Sequence, residues 1–180
     1  MHGFNDIFLM ATQAIGQDYF NLPVFGGTNV LRERHYCYEL YHQLRLKWPR
    51  DEAKILSGEI DKAAHHHMRD LIGSEPIPDF LIHIPGTMTN DTVIEVKSAT
   101  FSHRGVKKDL FNLSRFILDA GYERAIFLLF GPDLTLDLIE RVIKNYDILL
   151  EEGVTLGKIE LWVHPNCGEK ALHYCTLVQL

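Results

Sequence analysis

The sequence has little of what marks secreted, zinc-binding or membrane proteins. Only three cysteines occur among its 180 residues, and their unrelated spacings predict neither a zinc site nor a disulfide framework. No apolar run is long enough to span a bilayer. Residues 1–20 lack the basic start and the continuous apolar stretch of a secretory signal, because Asn5 and Asp6 interrupt them. These absences predict a cytoplasmic protein that stays outside the membrane.

An excess of positive charge, the usual mark of a nucleic-acid-binding surface, is also missing, because the net charge is -6. The charge is spread unevenly. Residues 28–115 contain 13 Lys and Arg against 12 Asp and Glu, whereas residues 116–180 contain 5 against 10. Any electrostatic attraction for a phosphate backbone would therefore come from residues 28–115, and it would be modest.

The composition, 46% hydrophobic and 23% charged, is that of one globular domain with a full core. Apolar residues at helical spacing predict an N-terminal helix through Ile15 and a second helix capped by Thr28 or Asn29 and ended by Pro49. Together with the apolar runs, they predict an α/β fold with a mixed β-sheet flanked by helices. The remaining predicted elements are strands at 53–60, 78–84, 92–98, 125–130, 158–164 and 171–178, and helices at 107–120 and 134–151.

The strongest motif joins two of the predicted strands. Its two parts are Pro78-Asp79-Phe80 and Glu95-Val96-Lys97, and fifteen residues lie between Asp79 and Glu95. Side chains alternate along a strand, so Glu95 and Lys97 share one face. If the two strands pair through the turn between them, Asp79 reaches that same face. The opposite face is then apolar and consists of Phe80, Ile82, Ile84, Ile94 and Val96.

This combination of residues suits metal-assisted hydrolysis of a phosphodiester. Two close carboxylates repel each other unless a cation joins them, and hard oxygen ligands favour Mg²⁺ or Mn²⁺. A lysine beside them can hold a phosphate oxygen or orient a water. A surface ion pair is the alternative interpretation of Glu95 and Lys97, but Asp79 upstream and the apolar opposite face favour a functional site.

Asp79, Glu95 and Lys97 in this order resemble the PD-(D/E)xK nuclease superfamily, whose core is a helix, three strands, a helix and a strand. The resemblance covers residues 28–130, with residues 1–27 as an N-terminal helical extension and residues 131–180 as a C-terminal helix and strands. It implies a restriction-endonuclease-like core in one domain. It also implies nucleic acid, DNA above all, as the substrate, with specificity from loops, a homodimer or a partner protein.

The resemblance implies roles for individual residues. Asp79, Glu95 and the carbonyl of Val96 would bind Mg²⁺ or Mn²⁺, and Lys97 would be catalytic together with the acids. Many members also take an acid from the first helix. Glu33 shares the buried stripe of that helix, whereas Glu39 lies roughly a hundred degrees off it, so Glu33 is the predicted member and Glu39 the alternative.

Other polar residues are weaker candidates. By the same resemblance, the basic run around Lys107 would face the substrate at a helix start, although such runs are commonly just exposed. His65-His66-His67 cannot easily close on one ion, because neighbouring side chains diverge, and a polar loop or a phosphate contact is expected. His83 shares the face of Asp79, with a half-buried structural histidine as the alternative. The basic run comprises Arg104, Lys107 and Lys108, followed by Asp109.

Two other functions stay open at this point. The chain would be a non-catalytic module if it kept the nuclease fold only to bind nucleic acid or to act as a scaffolding subunit. It would be a hydrolase of a small phosphorylated molecule if a closed pocket, instead of an open groove, surrounded Asp79. Tyr36, Tyr38 and Tyr41 are expected to lie in the core or at its rim, and no sequence pattern marks them as a base-stacking platform.

Overall fold

A computed structural model describes residues 3–59 and 77–179. Its centre is a mixed, open, six-stranded sheet whose strands lie side by side in the order of the sequence. The first two pairings and the last one are antiparallel, and the two pairings between them are parallel. The strands are β1 (Ile55–Gly58), β2 (Phe80–His83), β3 (Asn90–Ser98), β4 (Arg124–Phe130), β5 (Ile159–His164) and β6 (Leu172–Leu177).

Helices cover both faces of this sheet, as the sequence predicts. The parallel strands are connected through α4 and α5, and successive crossovers in one direction place both helices on the same face. The opposite face is covered by α1 and α3. The helices are α1 (Phe4–Gln13), α2 (Gln17–Phe20), α3 (Glu33–Lys47), α4 (His103–Leu118) and α5 (Leu136–Glu151).

Burial on both faces explains the composition of the central strands. Every residue from Ala125 to Phe130 is fully buried, which is typical of a parallel strand between two helical layers. In β3 the side chains alternate between the two cores: Val93 belongs to the core under α4 and α5, and Ile94 and Val96 to the core under α1 and α3. The predicted alternation of faces is therefore confirmed for this strand.

The prediction that Thr28 or Asn29 caps the second helix is wrong. The helix α3 begins at Glu33, and the preceding Arg32 makes no side-chain capping hydrogen bond. The cause is a short antiparallel bridge in which Leu22 and Val30 exchange two backbone hydrogen bonds of 3.0 Å. Since this bridge holds the chain extended at Val30, the helix cannot start until the bridge has ended.

Other boundaries differ by a few residues. The helix α1 ends at Gln13, although Ile15 beyond it is buried as predicted. The helix α4 starts at His103, four residues before the predicted start, because the Ser102 hydroxyl accepts a hydrogen bond of 3.2 Å from the backbone N–H of Gly105. The predicted strand 53–60 ends at Gly58, and its last residue lies outside the described residues, as do His65-His66-His67.

Within the described part of the chain, no helix has the length and the apolar character needed to cross a membrane.

Candidate functional site

Asp79, Glu95 and Lys97 meet on the face of the sheet that carries α4. The pairing of Phe80 with Ile94 in the antiparallel β2–β3 ladder places Asp79, one residue before β2, beside Glu95. The Asp79 carboxylate (Oδ2) accepts a hydrogen bond of 2.7 Å from the backbone N–H of Val96. Strand parity and register thus bring the three motif side chains into one cluster, in the arrangement predicted from the sequence.

Glu33 joins this cluster from the first turn of α3. One of its carboxylate oxygens accepts a hydrogen bond of 3.2 Å from Lys97 Nζ, and the other accepts one of 3.3 Å from the backbone N–H of Ser98. The alternative helix acid, Glu39, instead bonds to His42 and Gln43 on its own helix. Between the two candidates, the structure therefore brings Glu33 to Lys97 and leaves Glu39 elsewhere.

Lys97 is the cation at the centre of the cluster. Its side chain is only 15% exposed, and its Nζ lies 2.9 Å from Asp109 Oδ2, 3.2 Å from Glu33 Oε1 and 3.9 Å from Glu95 Oε1. Burial by itself would lower the pKa of Lys97, but the charges of Asp109 and Glu33 outweigh it and hold the pKa above its usual value. The ammonium is therefore kept charged by three carboxylates at once.

Asp109 is the member of the cluster that the motif did not single out. It lies in α4 and is 8% exposed. Its Oδ2 has no partner among the described residues besides Lys97. A signal for it exists in the sequence, because Asp109 follows Val106 by three residues and precedes Leu113 by four, which places it on the buried stripe of the helix. An acid on such a stripe needs a charged partner, and here that partner is Lys97.

The cluster holds more negative than positive charge. Burial raises the pKa of Asp79 to about 7, with Glu33 adding to the rise while the Val96 N–H and Lys97 oppose it. Burial also raises the pKa of Glu95, and the charges of Asp79 and Asp109 raise it further. Four carboxylates around one ammonium cannot all be ionised at low energetic cost. The cluster therefore gains from taking up either a proton or a further cation.

The oxygen atoms of the cluster are of the type that a hard divalent cation prefers as ligands. Mg²⁺ and Mn²⁺ prefer carboxylate and carbonyl oxygens, which Asp79, Glu95, Glu33 and the carbonyl of Val96 can supply. Over residues 3–59 and 77–179, however, no three acidic, histidine or cysteine side chains are already arranged to hold one ion. The carboxylates of Glu33 and Asp109 face the Lys97 ammonium instead. Binding of a metal ion would therefore require carboxylates to turn away from Lys97.

The remaining predicted residues lie around this cluster. Lys107 forms an ion pair of 2.5 Å with Glu152, and Arg104 is exposed. Lys108 lines a small cleft of about 130 Å³ together with Glu95 and Asp109. One partner of the half-buried His83 is Ser57, at 3.2 Å between Nε2 and Oγ. Of the basic run, Lys108 is the residue that borders this cleft beside the acids.

Glu59 closes the other side of the cluster. Its backbone N–H donates a hydrogen bond of 3.0 Å to the carbonyl of Asp79, and its side chain forms an ion pair of 3.1 Å with Arg34. Its φ of 39° is in the left-handed region, which is strained for a residue with a side chain. Glu59 is thus held next to Asp79 although its own backbone conformation is unfavourable.

Comparison with known proteins does not extend this description. No family model, no curated protein and no solved structure matches the chain. The chemistry must therefore be inferred from the side chains themselves: a largely buried ammonium, four carboxylates around it, and a polar cleft lined by two of them.

Proposed function

We propose that this protein is a metal-dependent nuclease of the PD-(D/E)xK type, which hydrolyses phosphodiester bonds in nucleic acid, with DNA as its main substrate. The observation that carries the proposal is the convergence of Asp79, Glu95, Lys97 and Glu33 from β2, β3 and α3. The order α3, β1, β2, β3, α4, β4 agrees with a restriction-endonuclease-like core. These four residues come from three segments that are distant in sequence, so only the fold brings them together.

The proposed roles follow from the positions of the groups. Asp79, Glu95 and the carbonyl of Val96, with Glu33, would hold Mg²⁺ or Mn²⁺. When bound, the ion lowers the pKa of an attacking water and neutralises charge that develops on the phosphate. Lys97, kept charged by its neighbours, would donate hydrogen bonds to a phosphate oxygen or to that water. Asp109 would position Lys97 from the side away from Glu33.

Electrostatics supports strict metal dependence. A phosphodiester carries a negative charge, and here it would have to approach four carboxylates and one ammonium. The chain has a net charge of -6, so long-range attraction would not offset this repulsion. A divalent cation would cancel most of this local negative charge. Without it, the substrate phosphate is expected to stay away from Lys97.

A cleavage assay tests the proposal. The wild type, Lys97→Ala and the exposed control Lys158→Ala are incubated with linear, circular and single-stranded DNA and with RNA, in Mg²⁺, Mn²⁺ or EDTA. Cleavage should need the metal, survive Lys158→Ala and fall by at least about a hundredfold in Lys97→Ala, because a charge-stabilising donor is lost. No metal-dependent cleavage of any substrate, or equal cleavage by Lys97→Ala, would overturn the proposal.

A second function is favoured by one observation, the ion pairs that Lys97 forms with both Glu33 and Asp109. A non-catalytic nuclease-fold module, acting as a nucleic-acid-binding or scaffolding subunit, would use the cluster to tie α3, β3 and α4 together. It would bind nucleic acid equally well in Mg²⁺ and in EDTA. The nuclease would bind better with a divalent ion, and a gel-shift titration in both conditions separates the two.

A further inference from the structure

A cavity of about 360 Å³ lies between α3, the end of β1 and the start of β2. Tyr38, Tyr41 and Phe80 give it aromatic surface, and Glu59 and Asp79 give it acidic groups. Its volume, as bounded by the described residues, is at the lower end of the range for small-molecule sites. Because Asp79 lines it, the cavity adjoins the carboxylate cluster directly.

Of the aromatic side chains of the cavity, Tyr38 is exposed, Tyr41 is half-buried and Phe80 is buried. Tyr38 is 59% exposed, although it lies one residue from the buried Cys37. The rings of Tyr41 and Phe80 are nearly parallel, with an angle of 15° and centroids 6.3 Å apart. Aromatic surface that stays open to solvent next to acidic groups is unusual for a packed core, and it suits a flat ligand with polar edges.

The backbone at the end of β1 indicates that this space is maintained. Gly58 does not have a positive φ, so its backbone does not require glycine, and an added Cβ would lie 3.4 Å from the Tyr41 ring. The next residue, Glu59, has the strained φ of 39° that glycine would accept more easily. Gly58 thus lacks a side chain at a position where one would reduce the cavity. Glu59, in the strained conformation, brings a carboxylate to the border of the cavity.

We propose that this cavity holds one unpaired nucleobase of the substrate, next to the phosphodiester bond that the carboxylate cluster cleaves. The inference rests on the proposed nuclease function and narrows its substrate to single-stranded or locally unpaired nucleic acid. A base in a duplex is stacked and paired, so it could enter only after leaving the helix. The aromatic walls would stack on the base, and stacking is largely indifferent to sequence.

The acids predict which bases bind best. An ionised carboxylate can only accept hydrogen bonds. Adenine, cytosine and guanine carry an exocyclic amino group that can donate to Glu59, whereas thymine presents carbonyl oxygens on both sides of its ring N–H. The cavity should therefore prefer bases with an amino group over thymine.

Binding of short labelled oligonucleotides, measured by fluorescence anisotropy, tests the inference without cleavage. Ca²⁺ replaces Mg²⁺ as a hard cation with oxygen ligands. The variants are Gly58→Val, which fills the cavity, Tyr38→Ala, which removes a wall, and Tyr38→Phe, which keeps the ring. Tyr174→Ala, an exposed tyrosine on β6, is the matched control. Thermal melting checks that each variant is folded.

We expect Gly58→Val and Tyr38→Ala to weaken binding of single-stranded DNA by about tenfold. Tyr38→Phe, which keeps the ring, should bind more tightly than Tyr38→Ala, and Tyr174→Ala should bind like the wild type. Oligo-dA and oligo-dC should bind better than oligo-dT. Unchanged binding by folded Tyr38→Ala and Gly58→Val would overturn the inference. So would duplex DNA bound more tightly than single strands, or deoxyadenosine monophosphate bound as tightly as an oligonucleotide, which would indicate a small-molecule site.

The two proposals fail in distinguishable ways. If metal-dependent, Lys97-dependent cleavage is present but neither cavity variant alters binding, the nuclease stands and the nucleobase cavity does not. If the cavity variants weaken binding but Lys97→Ala cleaves like the wild type, the cavity stands as a nucleobase site and the proposed catalytic cluster does not.

Discussion

Lys97 Nζ and Asp109 Oδ2 lie 2.9 Å apart, and this ion pair joins the central strand β3 to the crossover helix α4. The pair is largely buried, since the side chains are 15% and 11% exposed. Glu33 contacts the same ammonium from α3, the helix that packs on the opposite face of the sheet. The position of Lys97 is therefore determined by two helices that pack on opposite faces of the sheet.

The first prediction concerns Asp109→Asn. The variant keeps the shape of the side chain but removes the shortest ion pair of Lys97, so the ammonium should be positioned less well. We expect cleavage to fall about ten- to hundredfold, because small displacements of a reacting group have effects of that size. Kinetics with single-stranded and duplex DNA would measure it, with the exposed Asp133→Asn as the control.

The stability of Asp109→Asn should fall by less than the roughly 3–5 kcal/mol expected when a buried charge is left unpaired, because Lys97 keeps Glu33 as a partner and two further effects oppose each other. The variant loses attraction to Lys97, but it also relieves repulsion with Glu95, whose pKa Asp109 raises. Urea denaturation would measure the free energy of unfolding. Full activity in Asp109→Asn would contradict a positioning role, and a large loss of stability together with activity would indicate a structural role.

The second prediction concerns Asp79→Asn and its pH dependence. Asp79 has a pKa of about 7 in the folded protein against an ordinary 3.8, so the folded state binds more protons between these values. Stability from this group is present below pH 4 and is lost as the pH rises through 7. Asparagine can still accept the hydrogen bond from Val96 without carrying a charge. At pH 8 in EDTA, Asp79→Asn should therefore be more stable than the wild type, by on the order of 2 kcal/mol.

The same variant should lose metal-dependent cleavage, so that stability and activity change in opposite directions. Urea denaturation at pH 5 and pH 8, with cleavage assays in parallel, measures both. Asp133→Asn should change neither quantity. If Asp79→Asn were less stable than the wild type at pH 8, the cluster would not carry the excess negative charge inferred for it.

The third prediction concerns His164, which is fully buried away from the cluster. Its Nε2 donates to the carbonyl of Glu169 at 3.0 Å, so its Nδ1 accepts from the Tyr36 hydroxyl at 2.7 Å. Burial lowers the pKa of His164 to about 4, although the contacts with Glu169 and Asn166 oppose the shift. The unfolded chain therefore binds a proton that the folded protein does not, between pH 6.5 and 4.

This part of the stability is complete above pH 6.5 and falls as the pH drops toward 4. Denaturation between pH 8 and pH 4.5 would show the loss, and His164→Gln, which can still donate and accept, should reduce the slope below pH 6.5. The exposed His173→Gln is the control and should keep the wild-type slope. An unchanged slope in His164→Gln would show that other groups determine the acid sensitivity.

Local periodicity was sufficient to predict the arrangement of the motif residues. The alternation of side chains placed Glu95 and Lys97 on one face, and the helical stripe selected Glu33 over Glu39, both from residues close in sequence. The same stripe argument applied to α4 would have found Asp109. The start of α3 could not be predicted in this way, because the bridge between Leu22 and Val30 is a pairing that capping preferences do not include.

The cavity could not be predicted from sequence patterns either. Tyr38 and Tyr41 come from a helix, whereas Gly58 and Phe80 come from two strands, and only the packing of α3 against the sheet brings them together. The sequence predicted only that these tyrosines lie in the core or at its rim. It contained no information about the cavity that Gly58 and Tyr41 both line.

The last prediction is that a divalent metal stabilises the protein. A ligand that binds only the folded state raises the free energy of unfolding by about 2.7 kcal/mol at one hundred times its dissociation constant. Mg²⁺ or Mn²⁺ should therefore raise the melting temperature of the wild type at pH 8, where the carboxylates of the cluster are most charged. Glu95→Gln should lose this stabilisation, because it removes one of the proposed ligands, while Glu140→Gln on the exposed surface of α5 should retain it. Equal stabilisation of the two variants would place metal binding elsewhere in the protein. No stabilisation of the wild type by either ion would favour the non-catalytic module, in which Lys97 is the permanent cation of the cluster.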